Sequence, residues 1–318
     1  MEAKEIALIL LTKEEEQERL DTVLAKHFKN VYSRAYFQYL IEEGLVLLNG
    51  IPLKKRAKLR AGSEIEVKFI SKPKIHLAPE AIPLAILYED EYVLAINKPA
   101  GMVVHPAPGN WSGTFVNGLL YHCDQLAYQE GSFRPGIVHR LDKGTSGVLV
   151  AAKTFEMQQK LATLFASRQV YKEYWTVCLG RPPDGEVDAP IGRHPIHRKQ
   201  MAMIPNGKEA RSFFKTLGYN GKLSIVQVLI ATGRTHQIRV HLKSQGTPIL
   251  GDDLYGSSSL NHQHGADRPL LHAATLKFQH PITGSPLQLI AEPPDDMVRF
   301  IRKILSLEQQ KEVFRQKS

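Results

Sequence analysis

The sequence predicts an α+β protein of two domains, a small one at 1–75 and a larger one at 86–318, joined by a linker at 76–85. Three observations carry this. The first ~75 residues read as helix, helix, hairpin and strand. Residues 72–84 hold three prolines and little periodicity, the mark of an extended connection. From Ile86 onward strand-like and helix-like segments alternate with many Gly and Pro turns, and no internal repeat is visible.

In the first domain, Leu20, Val23, Leu24 and Phe28 recur at helical spacing. Ser33 is placed to cap a second helix carrying Phe37, Leu40 and Ile41, and Gly44 is placed to stop it. Asn49-Gly50 lies between the apolar runs Leu45–Leu48 and Ile51–Leu53, a strong two-residue hairpin signal because both positions accept positive φ. Glu64–Phe69 alternates with period two, as a half-buried strand does. In the second domain, Val93–Ile96 is a short apolar strand, with Pro99 ending its pairing and Gly101 permitting a turn. Tyr171–Leu179 alternates: Trp175, Val177 and Leu179 form a core face, while Tyr174 shares the other with Lys172 and Thr176. Thr235 and Gly246 bracket an expected helix from His236 to Gln245. Residues 257–268 read as a polar loop. A helix is expected from Asp295, with acids at its start and bases near its end, as the helix dipole prefers.

Of the 318 residues, 43% are hydrophobic and 23% charged, which excludes a disordered or fibrous chain. No run approaches the ~18 apolar residues of a membrane span. The run Ile6–Leu11 lacks a basic start and a small-residue cleavage site, so no signal peptide is expected. Two cysteines, Cys123 and Cys178, supply neither a disulfide framework nor a metal-ligand set, and a reducing cytosol is the simplest compartment. The net charge of +9 favours a polyanionic partner, since each phosphate contact by Lys or Arg releases counterions.

Arg19-Leu20-Asp21, Ser33-Arg34-Ala35 and Val46–Gly50, in this helix–helix–hairpin order, resemble the S4 RNA-binding domain. The basic run Lys54, Lys55, Arg56, Lys58 and Arg60 then reads as a track for a phosphate backbone rather than a solvated loop. In this frame Ser33, Arg34, Lys54, Lys55 and Arg56 are the expected RNA contacts.

Gly136–Gly147 reads Gly-Ile-Val-His-Arg-Leu-Asp-Lys-Gly-Thr-Ser-Gly, followed by the apolar Val148–Ala151. A short strand leads into a turn that displays Asp142, with Thr145 and Ser146 as hydrogen-bond partners. From the residues alone, Asp142 is either a reactive carboxylate on a loop or an acid that ties its own turn. His139–Gly147 resembles the signature of the RluA family of pseudouridine synthases, whose catalytic aspartate matches Asp142. Val170–Tyr174 resembles the family's second motif, with its active-site tyrosine at Tyr174. Gly233–His241 resembles the third, with the arginine that pairs the aspartate at Arg239; Arg234, in the same motif, is the rival for that role. Asn97–Gly101 and Val104-His105-Pro106 also read as in this family, and no catalytic role is assigned to them. The likeness runs from the S4-like part to about residue 300 and is strongest to the subgroup acting on large-subunit ribosomal RNA.

The resemblance implies a catalytic domain with a mixed, mainly antiparallel sheet flanked by helices and a cleft across it. It implies isomerisation of uridine to pseudouridine in structured RNA, with large-subunit rRNA or an assembling subunit as partner. Asp142 either adds to the sugar C1′ or removes the 2′ proton; Tyr174 stacks on the uracil; Arg239 orients Asp142. Arg140 is the residue expected to open the RNA, since the target base must leave its stack. Arg234 and His236 are further expected RNA contacts, and the basic stretch Arg193–Lys199 reads as an RNA-facing loop. No cofactor is expected, because the reaction is an isomerisation and no cofactor motif is present. No metal is expected either: His236 and His241, five apart, share no face of a helix or strand and lack acidic or cysteine partners. A monomer free of any membrane, in the cytoplasm, is expected. Two other readings stand beside the synthase: an enzyme of the same architecture that cuts the glycosidic bond without rejoining it, and a non-catalytic RNA-binding assembly factor.

Overall fold

The computed structural model describes residues 5–28, 32, 34–54, 57, 59–70, 77–106, 110–123 and 135–315. Two compact units divide between Leu77 and Ala78.

The N-terminal unit contains β1 (Glu5–Leu10), α1 (Leu20–His27), α2 (Arg34–Glu42), β2 (Val46–Leu48), β3 (Ile51–Pro52) and β4 (Glu64–Phe69). The strands form one antiparallel sheet in the order β1-β4-β2-β3. Leu20, Val23 and Leu24 of α1 and Phe37 and Leu40 of α2 pack on Val46, Ile65 and Val67 of the sheet. The β2–β3 turn has Asn49 at φ 51° and Gly50 at φ 77°, the left-handed pair that this two-residue hairpin requires. The run Ile6–Leu11, left unassigned by the sequence, contributes the edge strand β1. Asp21 is fully buried and accepts hydrogen bonds from Arg19 (2.9 Å), Arg34 (2.8 Å) and Gln38 (2.5 Å). Burial would raise its pKa; these donors outweigh that and hold the carboxyl well below its usual range. Ser33, Lys55 and Arg56, three of the expected RNA contacts, lie outside the described residues; Arg34 and Lys54 are exposed.

The larger unit follows as β5 (Ile86–Glu89), β6 (Val93–Lys98), α3 (Phe115–His122), β7 (Ser146–Ala152), α4 (Phe155–Ala166), β8 (Tyr171–Leu179), β9 (Gly185–Asp188), β10 (Ile191–Arg193), β11 (Met201–Met203), β12 (Arg211–Tyr219), β13 (Leu223–Ile230), α5 (Gln237–Ser244), α6 (Ser258–His264), β14 (Leu271–Gln279), β15 (Pro286–Ile290), α7 (Asp295–Ile304) and α8 (Leu307–Arg315). Its main sheet runs β5-β6-β7-β14-β8-β13-β12-β9, with β15 also on β14. Among the described residues only β7 and β14 pair in parallel, so the sheet is mixed and mainly antiparallel. Alternate residues of β6 and β7 serve two cores: Val93, Ala95, Val148 and Val150 meet Met157 and Leu161 of α4, while Leu94, Ile96, Leu149 and Ala151 meet Phe115 and Leu119 of α3. A strand covered on both faces reads as a continuous apolar run, which is why β7 shows no alternation.

Several expectations are corrected here. The segment expected as a linker over 76–85 belongs to the larger unit from Ala78 on: Asn117 Nδ2 of α3 donates to the Ala78 carbonyl at 2.9 Å. Strand β8 is buried on both faces, because Trp175 and Val177 pack with α7 on one side while Cys178 packs with α5 on the other. The polar stretch 257–268 contains α6, capped by Ser257 and stopped by Gly265 at φ 62°. Its Asn261 is buried, accepting from Gly251 N–H (2.8 Å) and donating to Asp253 (2.9 Å), tertiary bonds that a polar sequence does not advertise. The C-terminal stretch forms two helices, and α7 buries Met297, Phe300 and Ile301 in the core of this unit.

Candidate active site

Asp142 sits on the turn that enters β7. The turn closes with Thr145 N–H donating to the Asp142 carbonyl at 3.0 Å. Gly147, at φ 111°, begins the parallel pairing with β14 so closely that a Cβ there would lie 2.2 Å from the Ala273 carbonyl oxygen. Only glycine permits that approach. Two neighbours brace the turn: Gly101 N–H donates to the Lys143 carbonyl (2.7 Å), and Arg268 Nη1 donates to the Gly144 carbonyl (3.0 Å). Thr145 lines the cleft beside Asp142, but Ser146 does not serve it; its hydroxyl is buried against His272 Nδ1 at 2.9 Å.

His139, three residues earlier, also turns inward. Its Nε2 accepts the Val150 N–H at 2.9 Å and its ring stacks on Phe165. Burial, then the Lys172 charge, lower its pKa to about 3, so it is a neutral structural acceptor. Arg140 between them is exposed at the rim.

Arg239 projects from α5 and is 8% exposed. Its Nη1 donates to Asp142 Oδ2 at 3.2 Å, while Nε and Nη2 donate to the two oxygens of Asp252 at 2.7 and 2.9 Å. Burial alone would lower its pKa; the Asp252 bonds and the charges of Asp252 and Asp142 keep it raised. Arg234, the rival in the same motif, lines the cleft but donates its Nε to the Glu209 carbonyl at 2.8 Å instead. The geometry thus selects Arg239 as the partner of Asp142.

The helix α5 begins one residue later than expected, at Gln237, and its N-cap is His236 rather than Thr235. His236 is left-handed, at φ 57°, a strained conformation for a side chain of that size. The strain accompanies a precise placement: Nε2 lies 3.7 Å from Asp142 Oδ2 and Nδ1 lies 2.8 Å from the Tyr255 hydroxyl. That hydroxyl also accepts the Met201 N–H at 2.7 Å. Burial lowers the His236 pKa and favours the neutral ring.

Tyr174, on β8, packs between two apolar clusters and its ring lines the same cleft. Burial, then the Asp142 charge, push its phenol above the usual range and keep it protonated. The cleft encloses about 570 Å³ with its open mouth included. Leu141, Tyr174, Ile230, Ile238 and Leu271 give it apolar walls, and Asp142, Arg234, His236 and Arg239 supply polar groups. A flat heteroaromatic ring fits such a lining, with a carboxylate at its edge.

Sequence reasoning missed three residues around this site. Asp252 and Tyr255 lie in a turn-like Gly-Asp-Asp-Leu-Tyr-Gly stretch in which nothing signals a partner 13 residues upstream. Lys98 is fully buried, donating to the carbonyls of Pro99 (2.8 Å) and Met102 (3.0 Å). Burial, then the Arg268 charge, lower its pKa to about 8, against the opposing pull of Asp142.

A half-buried aspartate held by a buried arginine, beside a tyrosine, thus lines an apolar cleft in the unit built on the mainly antiparallel sheet. Residues 92–244 match the RNA pseudouridylate synthase family, and residues 18–65 match the S4 domain. The chain is 39% identical over 298 residues to the RNA pseudouridine synthase YlyB of Bacillus subtilis, covering 93% of this chain and 97% of that one. It is 43% identical to the ribosomal large subunit pseudouridine synthase D of Nitrosomonas europaea, over 91% and 85% of the two chains. A solved structure, human RNA Pseudouridylate Synthase Domain Containing 4, superposes with a TM-score of 0.56 at 27% identity, covering 70% of this chain and 94% of that one. The chain belongs to the RNA pseudouridylate synthase family. It is an isomerase that converts uridine to pseudouridine in RNA, with an S4 domain at its N-terminal end.

Proposed function

We propose that the substrate is large-subunit ribosomal RNA, free or in an assembling subunit, and that Asp142, Tyr174 and Arg239 carry the chemistry. The observation that bears most weight is Arg239 Nη1 on Asp142 Oδ2 at 3.2 Å, beside Tyr174, in a cleft shaped for a base. Two relatives at about 40% identity, from Nitrosomonas europaea and Xanthomonas campestris, are named for the ribosomal large subunit, which supports the substrate.

In the reaction the N1–C1′ bond breaks, the uracil turns, and a C5–C1′ bond forms. A proton leaves C5 and N1 ends protonated, so composition is unchanged and no cofactor is required. Asp142 acts on the sugar in the first step. Arg239 and His236 both approach Oδ2, which leaves Oδ1 for the sugar. The Tyr174 ring stacks on the uracil, and its hydroxyl assists the loss of the C5 proton by passing its own proton on as it takes that one up. Arg140 at the rim opens the RNA so that the base can enter, and Arg234 and His236 contact the RNA beside it. Residues 1–75 act as an RNA-binding module, with Arg34 and Lys54 and the basic residues after them meeting phosphate. All three catalytic groups come from one chain, so a monomer suffices. Both cysteines are buried thiols, which suits the reducing cytoplasm, away from any membrane.

The test uses ribosomal RNA from cells with the gene, without it, and with Asp142→Asn in its place. The RNA is treated with carbodiimide and alkali and read by primer extension. Stops confined to the wild type would support the substrate and the role of Asp142 and would map the sites. Identical stops in all three would remove ribosomal RNA as the substrate, and transfer RNA would be examined next.

A further inference from the structure

We infer that Lys172 and Arg234 form a subsite that binds a backbone phosphate flanking the target uridine. The inference rests on the reading that the cleft beside Tyr174 takes the target base. It starts from a lysine without a counterpart. Lys172 is 8% exposed, and among the described residues no hydrogen bond or ion pair reaches its ammonium. Burial, then the positive charges of Arg168 and Arg234, push its pKa down. The neighbouring carboxylates are committed elsewhere. Glu173, on the other face of β8, accepts from the Tyr171 hydroxyl (2.8 Å) and from Trp175 Nε1 (2.9 Å). Glu209 accepts from both terminal nitrogens of Arg168, at 2.8 and 2.6 Å. A lysine that only packs its stem keeps its head in water. One this buried, among like charges, costs stability unless an anion joins it.

The position of Lys172 selects the anion. Glu173 is registered with Leu229 of β13, so Lys172 is level with Ile230, a wall of the cleft. On β8 it shares a face with Tyr174 and stands two residues away, ~7 Å along the strand. A uracil against the Tyr174 ring carries a backbone phosphate at about that reach. Arg234 lines the same cleft and spends only its Nε on a protein acceptor, the Glu209 carbonyl at 2.8 Å. Its two terminal nitrogens have no protein partner among the described residues. A planar fork and a point charge, neither of them neutralised by an acid, suit the two unbridged oxygens of a phosphodiester. The edge of a uracil carries no formal charge to match them.

The full-length chain is tested on an RNA fragment spanning a uridine that it isomerises, with affinity read by filter binding over a range of salt. Lys172→Met removes the charge and keeps most of the side chain's length. Affinity is expected to fall about 10-fold or more, the loss of one charge-assisted bond. The slope of log affinity against log salt is expected to fall by about one. The melting temperature of the free protein is expected to hold or rise, because a buried charge without a partner has gone. Copies of the fragment with a neutral methylphosphonate at single linkages locate the phosphate. One linkage flanking the target uridine is expected to cost the wild type about 10-fold and Lys172→Met no more than about two-fold, since the two partners of one contact are non-additive. Unchanged affinity in Lys172→Met overturns the inference, as does a lowered melting temperature or an equal sensitivity to that linkage in both proteins. The methylphosphonate series on the wild type needs no variant: if no flanking linkage is sensitive, the inference falls whatever the fate of Lys172→Met. Asp142→Asn, assayed alongside by release of tritium from C5 of labelled uridine, separates the two readings. If it is inactive while Lys172→Met binds normally, only the phosphate subsite fails; if it is active, the catalytic reading of the cleft fails and takes this inference with it.

Discussion

Arg239 meets Asp142 through a single contact, Nη1 to Oδ2 at 3.2 Å, although both residues have the capacity for two. The remaining capacity of Arg239 is spent on Asp252. Lysine carries charge but no planar fork and cannot span both carboxylates in one geometry. Arg239→Lys is accordingly expected to lower the single-turnover rate by about 100-fold, the scale at which removing one preorganised donor acts. RNA affinity, read by filter binding, is expected to change little, because this nitrogen faces Asp142 and not phosphate. An equal loss in rate and affinity would make Arg239 an RNA contact instead.

Tyr174 offers a ring and a hydroxyl, and two substitutions separate them. Tyr174→Phe keeps the ring between its two apolar clusters. If the hydroxyl moves the C5 proton, this variant binds RNA normally while its rate falls roughly 100-fold, the low end for a lost acid–base group. Tyr174→Ala removes the ring as well and is expected to cost about 3 kcal/mol of stability in urea unfolding. Burial and then the Asp142 charge hold the phenol above its ordinary value, so no rate change from phenolate formation is expected below about pH 10. A titration of the rate near pH 8 that disappears in Tyr174→Phe would refute this.

Lys98 links stability to pH. Its folded pKa, lowered to about 8 by burial and then by the Arg268 charge, lies below the value of an unfolded lysine. Between these values the unfolded chain binds more protons than the folded one, so this group makes stability rise as pH rises from about 8 to about 10. The charged form penalises the fold below that window, by at most about 2–3 kcal/mol. The difference in unfolding free energy between the wild type and Lys98→Met, measured by urea denaturation across pH 7–10, should show that slope. A flat difference would mean that Lys98 is neutral, or solvated, throughout.

Lys54 is exposed on the segment that follows the β2–β3 hairpin. As a phosphate contact, it releases about one counterion, and Lys54→Ala should reduce the slope of log affinity against log salt by about one. Arg34 is shared with Asp21, so Arg34→Ala should disturb the fold of the N-terminal unit as well as RNA binding. An unchanged salt slope for Lys54→Ala would place the RNA elsewhere.

Local order was legible in the sequence wherever a short-range rule governs it. The Asn49-Gly50 turn, α1, α2 and β4 follow from turn chemistry and periodicity, and each lies where the pattern puts it. The same rules fail at β1, whose pairing with β4 spans more than fifty residues, and at α6, whose polar face is satisfied by Gly251 and Asp253. They also fail at β8, where alternation suggested one core face and helices α7 and α5 cover both.

The sequence by itself determined the chemistry available: an acid on a glycine-bounded turn, a tyrosine on a strand, an arginine on a helix, and a basic N-terminal unit. Those are properties of residue type and spacing along the chain. Only the tertiary structure decided which groups meet. It chose Arg239 over Arg234 and drew Asp252 and Tyr255 into the site; it also turned His139 and Ser146 inward. The reason is that Asp142 and Arg239 stand 97 residues apart. A contact at that separation is fixed by sheet order and register, through the parallel β7–β14 pairing and the packing of α5, and no local pattern encodes it.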